Sequence, residues 1–436
     1  MGRVGSDEGD EGTMASRKAF LNSCARALAA CLGAGGALAL AAPTAAQDGN
    51  LRNLVSDLYG GDGITLDAGF HEAHFAAAGE AELNDLSNIL ASNIGAFSFN
   101  SSVSAISFDV AQGVPVRSQQ SLGPLLAERA TTIGRGRVNV AASISSIDFQ
   151  QLDGVDISEL TLDLHHSLIN ENNGQPFNAP WDHDEIHLAL DLSIEQQVLA
   201  LYGTFGVTNA LDVGVIIPVV SMEASVNANA TLHTTFCDPA FFNPGNAFLC
   251  VPVAEGAGIP VHSLPSDFSP TDSNSGDAFG VGDIILRTKL NLSEGRDGPI
   301  DFGVLGQVSL PTGDESDLLG TGSTAVQGMF IASSSLGAVN PHVNVGYEHF
   351  TDDELDRSNW RYVVGVDVAA RDNLGFSLET IGRIEADDDT FLDLAIGGKW
   401  AVNGQVPLSA SILLPLNRDE GLRPDFVLTF GIETTF

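Results

Sequence analysis

Polar and apolar positions alternate along the last stretch of the chain. Counting back in twos from Phe436 gives Thr434, Ile432, Phe430, Leu428 and Phe426, while Thr435, Glu433, Gly431, Thr429 and Val427 fall between them. A period of two is the mark of a β-strand whose two faces meet different surroundings. The pattern recurs back to Arg135. Val138, Val140, Ala142 and Ile144 oppose Asn139, Ser143 and Ser145, and Val343, Val345 and Tyr347 oppose His342, Asn344 and Glu348. In the same way Leu392, Leu394, Ile396 and Trp400 oppose Asp393 and Lys399. In one place the phase slips. Ile186, Leu188, Leu190, Leu192 and Ile194 are followed by Leu199, Leu201 and Phe205, so a bulge or a turn is expected at Glu195-Gln-Gln197.

Strand by strand, a soluble sandwich and a membrane barrel read alike. The connections separate them. Thr208-Asn209, Ser293 to Pro299, Leu336 to Asn340, Arg371 to Asn373 and Asn403-Gly404 are short. Between them lie longer acidic connections at Gly313 to Asp317, Asp352 to Asp356, Glu385 to Asp389 and Arg418 to Glu420. Outer-membrane barrels place tight turns at one rim and long loops at the other. The fold class predicted is therefore all-β, an antiparallel transmembrane β-barrel over 135–436. It has about 12 strands, or 14 if Val155 to His165 is a strand and the slip at Gln196 is a turn.

The region before Arg135 differs. From Met14 the order Arg17-Lys18, an Ala- and Leu-rich stretch, then Pro43-Thr-Ala-Ala46 is that of a secretory signal peptide, so 1–46 is assigned to one, with Met14 as an alternative start of translation. Leu28-Ala-Ala-Cys31 looks like a lipoprotein box, but the apolar run follows the cysteine instead of preceding it. Residues 47–134 read as a mixed helix and hairpin plug segment, with a separate periplasmic domain as the alternative. Leu83, Leu86, Ile89, Leu90 and Ile94 form a helical stripe. Phe97 to Asn100 and Ser104 to Val110 suggest a hairpin, and Gly123-Pro-Leu-Leu-Ala-Glu-Arg-Ala a short helix with Pro near its start. His71 and His74 could share a helix face, but no third ligand is evident, and no metal or other cofactor is assigned.

Composition narrows the partners. The net charge of −37 argues against nucleic acid, since an acidic surface repels phosphates. After residue 50 no apolar run approaches the roughly 18 residues of a membrane helix. Cys237 and Cys250 share one Pro- and Asn-rich loop, and in an exported chain two such cysteines are expected to pair. Opposite the apolar faces, the expected lumen carries Asp283, Arg287, Lys289, Asp301, His342, Glu348, Arg361, Asp367, Glu379, Arg383, Asp393 and Lys399. Both signs are present, as in a salt-bridge ladder bracing the wall or a constriction that orients a solute. Leu83, Ile89, Leu90, Leu125 and Leu126 offer a plug an apolar side toward such a solute.

Four phrases in order, Gly123 to Arg137, Phe205 to Val215, Gly280 to Arg287 and Val308 to Asp314, resemble the outer-membrane family named for the putative MetA pathway of phenol degradation. The resemblance implies a Gram-negative outer-membrane channel, embedded in lipid, for passive uptake of small hydrophobic or aromatic compounds. Other readings are a structural or general-diffusion protein with acidic surface loops, or an outer-membrane hydrolase. No Gly-x-Ser-x-Gly elbow supports the last, and no enzyme is expected. The terminal Phe436 resembles the closing aromatic residue of outer-membrane barrels in general, which implies that the barrel-assembly machinery reads it.

Overall fold

The structure, a computed structural model, describes residues 50–60, 64, 83–91, 94, 106–109, 114–117, 122–165, 184–240, 251–260, 262–295, 298–351, 358–386, 389–402 and 406–436. Twelve antiparallel strands close into a barrel. They are β1 Val138–Leu152, β2 Glu185–Gly206, β3 Leu211–His233, β4 Ile284–Asn291, β5 Ile300–Leu310, β6 Ala325–Ser334, β7 Val339–Phe350, β8 Asn359–Arg371, β9 Leu374–Glu385, β10 Thr390–Val402, β11 Val406–Pro415 and β12 Leu422–Thr435. Each pairs with the next, and β12 pairs back onto β1 with Phe430 opposite Ile144. The terminal residue seals this seam. Phe436 and Val138 exchange backbone hydrogen bonds of 2.8 and 3.0 Å. Closure leaves the barrel wall no open edge, the condition for β-structure in lipid. Val140, Val345, Trp360, Phe376, Trp400 and Phe430 are among the large apolar side chains exposed on its outside. A band of that extent in water would be a liability, but in a bilayer it is the solvated surface.

The phase slip on β2 has a different cause from the one expected. β2 pairs with β3 in unbroken register from Glu185 opposite His233 to Gly206 opposite Asp212, so there is neither a bulge nor a turn at Gln196. Even-numbered residues from Ile186 to Tyr202 point inward throughout. What changes is the surroundings. In the lower half the outward positions Leu199, Leu201 and Phe205 meet lipid; in the upper half the outward positions Asp191, Ser193 and Glu195 are polar, and the inward ones are apolar.

β2 and β3 run for 22 and 23 residues, where about ten suffice to cross a bilayer. Their upper halves rise beyond the long-loop rim, flanked by the added strands Leu160–His165 on β2 and Thr271–Val281 on β3. The first of these continues the line of β1, so the strand within Val155 to His165 extends the wall without adding a thirteenth stave.

The inner face of this extension is apolar because it is covered. Leu188, Leu190, Leu192, Met222 and Val226 pack in one cluster with Leu51, Leu54, Val55 and Leu58 and with Leu83, Leu86, Leu90 and Ile94 of the helix at 83–91 and just beyond. Polar contacts fix this cap. Arg52 pairs with Glu315, its backbone N–H donates to Ser316 at 3.0 Å, and the Tyr59 hydroxyl donates to the carbonyl of Pro270 at 2.9 Å. The predicted helix is thus present, with Ile89 the exception to its buried stripe at 39% exposure.

Two local expectations are corrected. Ile106–Asp109 does form a hairpin strand, but its partner is Val114–Arg117, while Phe97 to Asn100 lie outside the described residues. Residues 123–130 are not helical. Their N–H groups donate to side chains of the barrel wall instead of to carbonyls one turn back, which removes the bonds a helix needs. Residues 1–49, His71, His74 and Cys250 lie outside the described residues. Among the described residues no helix is long and apolar enough to cross a membrane.

Candidate solute chamber in the barrel lumen

Residues 122–137 lie inside the barrel near the short-turn rim and follow its inner wall from strand to strand. We call them the strap. Glu379 on β9 accepts hydrogen bonds from the N–H groups of Leu125, Leu126 and Ala127, at 2.6, 2.8 and 2.7 Å. Asn344 on β7 accepts from the Glu128 N–H and donates to its carbonyl. Arg129 pairs with Asp367 on β8 at 3.0 Å. Ser333 on β6 accepts from Ala130, and Asp212 on β3 from Ile133. Extended backbone with no ladder of its own is tolerated at membrane depth only where its polar groups are satisfied, and here the wall satisfies them.

Glu128 is the electrostatic centre of the strap. It sits 2.5 Å from Arg287 and 3.2 Å from Lys289, both on β4. Its burial pushes the carboxyl upward, but the two cations beside it prevail and hold it at about 2.

The predicted lumen residues divide into groups. Arg287, Lys289, Asp367 and Glu379 hold the strap. His342, 1% exposed at its side chain, stands between Asp367 at 3.6 Å and Glu379 at 4.0 Å. Glu348 pairs with Arg361 at 3.3 Å, Arg383 with Glu385 at 3.0 Å, and Asp393 with Arg423, which forms a charged belt on β7 to β12. The guanidinium of Arg383 lies 3.9 Å from the ring centre of Phe391, close enough for a cation–π contact. Lys399 lies 3.6 Å from Glu433. Asp301 faces the space beside Arg129 and Ser333. Asp283 stands apart from the strands and braces the loop 311–324 by accepting from Gly313 and Thr321.

Between cap and strap lies a chamber. A cavity of about 200 Å³ is lined by Ile94 from the cap side, Leu126 and Glu128 from the strap, and wall residues including Val198, Ile216, Leu305 and Val363. A second space of about 100 Å³ adjoins it, sharing Ile94, Leu126, Gln196, Arg361, Ile381 and Arg383. For scale, an apolar cavity of ~150 Å³ holds a benzene molecule. Of the predicted plug residues, Leu126 lines the chamber and Leu125 is buried against the wall, whereas Leu83 and Leu90 belong to the cap core.

Sequence reasoning did not find Glu128, Arg129, Asp212, Asn344 or Gln196. The available signal was an adjacent Glu128–Arg129 pair inside an apolar phrase just ahead of the first strand, where a helix has no use for either charge. Cys237 is fully buried on the short strand Phe236–Cys237, which pairs with Pro252–Val253 and Ile259–Pro260.

The sequence profile of the family described as "Putative MetA-pathway of phenol degradation" matches residues 190–414. The chain belongs to this family. Its twelve-stranded antiparallel barrel with an apolar outer band has the form of an outer-membrane barrel. Among solved structures it is similar to an outer-membrane channel of Pseudomonas putida F1, at 11% identity over 71% of this chain and 99% of that one, with a TM-score of 0.41. It is also similar to the toluene transporter TbuX of Ralstonia pickettii, at 11% identity, 79% and 99% coverage and a TM-score of 0.34. A third, the monoaromatic hydrocarbon channel CymD, shares 8% identity over 70% and 89%, with a TM-score of 0.32. No curated protein sequence matches it.

Proposed function

We propose that this protein is a channel for passive uptake of small hydrophobic or aromatic compounds across the outer membrane, with residues 47–134 serving as its plug after removal of 1–46 as a signal peptide. The observation that carries the reading is the chamber itself. It is sized for one small ring, walled in large part by apolar side chains and bounded by two segments of the chain's own N-terminal region. Cap and strap have distinct parts. The cap shields an apolar surface at the outer mouth, where a hydrophobic solute would first rest, and the strap closes the periplasmic side through contacts that are polar and individually breakable. A Cys237–Cys250 disulfide would pin the loop beyond β3 outside the membrane.

The reading is one of transport, not catalysis. Uptake of labelled aromatic, fatty-acid and sugar solutes by cells bearing or lacking the protein tests it. Faster uptake of aromatic solutes alone is the expected result, and equal rates for all three classes would point to a general-diffusion or structural protein. Hydrolysis of lipase or esterase substrates by the refolded chain would count against it.

A further inference from the structure

We propose that Gln196 is the specificity-determining residue of the chamber and that it selects small neutral aromatic solutes carrying one hydrogen-bonding group, a ring hydroxyl or amine, over bare hydrocarbons. The inference rests on the chamber being the solute path.

Gln196 lies on β2 at the junction of the two spaces and lines both. Its neighbours along the strand and across the ladders are apolar, while Arg361 and Arg383 line both spaces with it. Ile194 and Val198 flank it along the strand, and Ile147 and Met222 face it across the two ladders. All four are buried, and Gln196 itself is 5% exposed. Its side-chain oxygen is buried with no hydrogen-bond partner. Several other polar side chains around the chamber are paired: Gln307 with Gln327, Asn344 and Arg287 with Glu128, and Glu348 with Arg361.

A buried amide oxygen without a partner is costly, and a solute that donates to it offsets that cost. The amide both donates and accepts, so it can serve a hydroxyl or an amine equally. A charged solute fits poorly, because the chamber's own charges are matched to one another and a buried ion without a partner is penalised heavily. A hydrocarbon of the same shape leaves the amide unpaired, which is how a polar group in a pocket discriminates against an analogue lacking its partner.

The test compares phenol with toluene, which differ by a hydroxyl in place of a methyl group. Binding to the refolded full chain in amphipol is measured by equilibrium dialysis, and uptake is measured in cells expressing each variant. The phenol-to-toluene binding ratio is expected to be roughly tenfold higher in the wild type than in a variant without the amide, the difference one hydrogen bond supplies. Gln196→Leu and Gln196→Met should both lower that ratio by about this factor, while Gln196→Asn keeps part of it. An unchanged ratio in either folded apolar variant, or no binding of phenol to the wild type, overturns the proposal. Binding selectivity without faster uptake would overturn the transport reading while supporting the role of Gln196.

Discussion

The guanidinium of Arg129 meets both carboxylate oxygens of Asp367, at 3.1 and 3.0 Å, joining a segment ahead of the barrel to the middle of its wall. The side chains are 8% and 1% exposed, so neither can turn to water if the other is removed. Breaking one partner of such a buried pair typically costs ~3–5 kcal/mol. Arg129→Leu and Asp367→Leu should each loosen the strap and raise single-channel conductance in planar bilayers. The double variant, which leaves no orphaned charge, should return toward the wild-type value. Three identical conductances would show that the strap does not limit the pore.

Acid should release the same strap at a defined point. A carboxyl held at about 2 in the folded protein, against its ordinary 4.5, contributes stability that is fully present above pH 4.5 and fades as the pH falls toward 2. The contribution of Glu128 is on the order of 3 kcal/mol. Conductance is expected to hold steady from pH 7 to about 5 and to rise below that. Glu128→Gln should already show raised conductance at pH 7 and a weaker acid response.

The long strand β2 allows a test of where the membrane ends. Ser193 and Leu201 point outward on the same strand, the first above the lipid band and the second within it. An arginine on the lipid face at mid-depth costs ~2–4 kcal/mol, and far less outside it. Leu201→Arg should therefore reduce the heat-modifiable barrel recovered from outer membranes, and Ser193→Arg should leave it unchanged. Equal losses would place lipid around the extension as well.

The barrel's seam depends on its last residue. Phe436 exchanges two backbone bonds with Val138 and exposes its ring on the outer face. Phe436→Asp is expected to lower assembly in vivo more than it alters solute selectivity in the barrels that do form. Wild-type amounts of folded barrel would contradict this.

The cysteine loop offers a chemical check. Cys237 is fully buried beside strand pairing that joins Phe236 to Val253, and a link to Cys250 would close this loop. Denatured, unreduced mature protein should show no free thiol among these two, and reduction should expose both. Two thiols before reduction would rule the link out.

The barrel was legible because a lipid-facing surface imposes a period of two on every strand and the turns announce the two rims. The phase change on β2 was visible but misread. Periodicity reports which face is apolar, and Leu188 and Leu201 are apolar for opposite reasons, one covered by the cap and the other bathed in lipid. The strap escaped for a related reason. Leu125 to Ala130 has good helix formers, but Glu379 and Asn344, more than two hundred residues away, capture its N–H groups. Local propensity cannot anticipate that competition. Gln196 was equally hidden, since a single amide among alternating residues signals nothing until its neighbours on β1 and β3 are known to be apolar.

The central claim, that small aromatic solutes pass through this barrel, is tested most directly by initial uptake of labelled phenol in cells with an intact lipopolysaccharide outer leaflet. Cells expressing the wild-type protein are predicted to take it up faster than cells without it, and cells expressing Arg129→Leu faster still. Identical rates in all three, with the barrels shown to be folded in the outer membrane, would contradict the account.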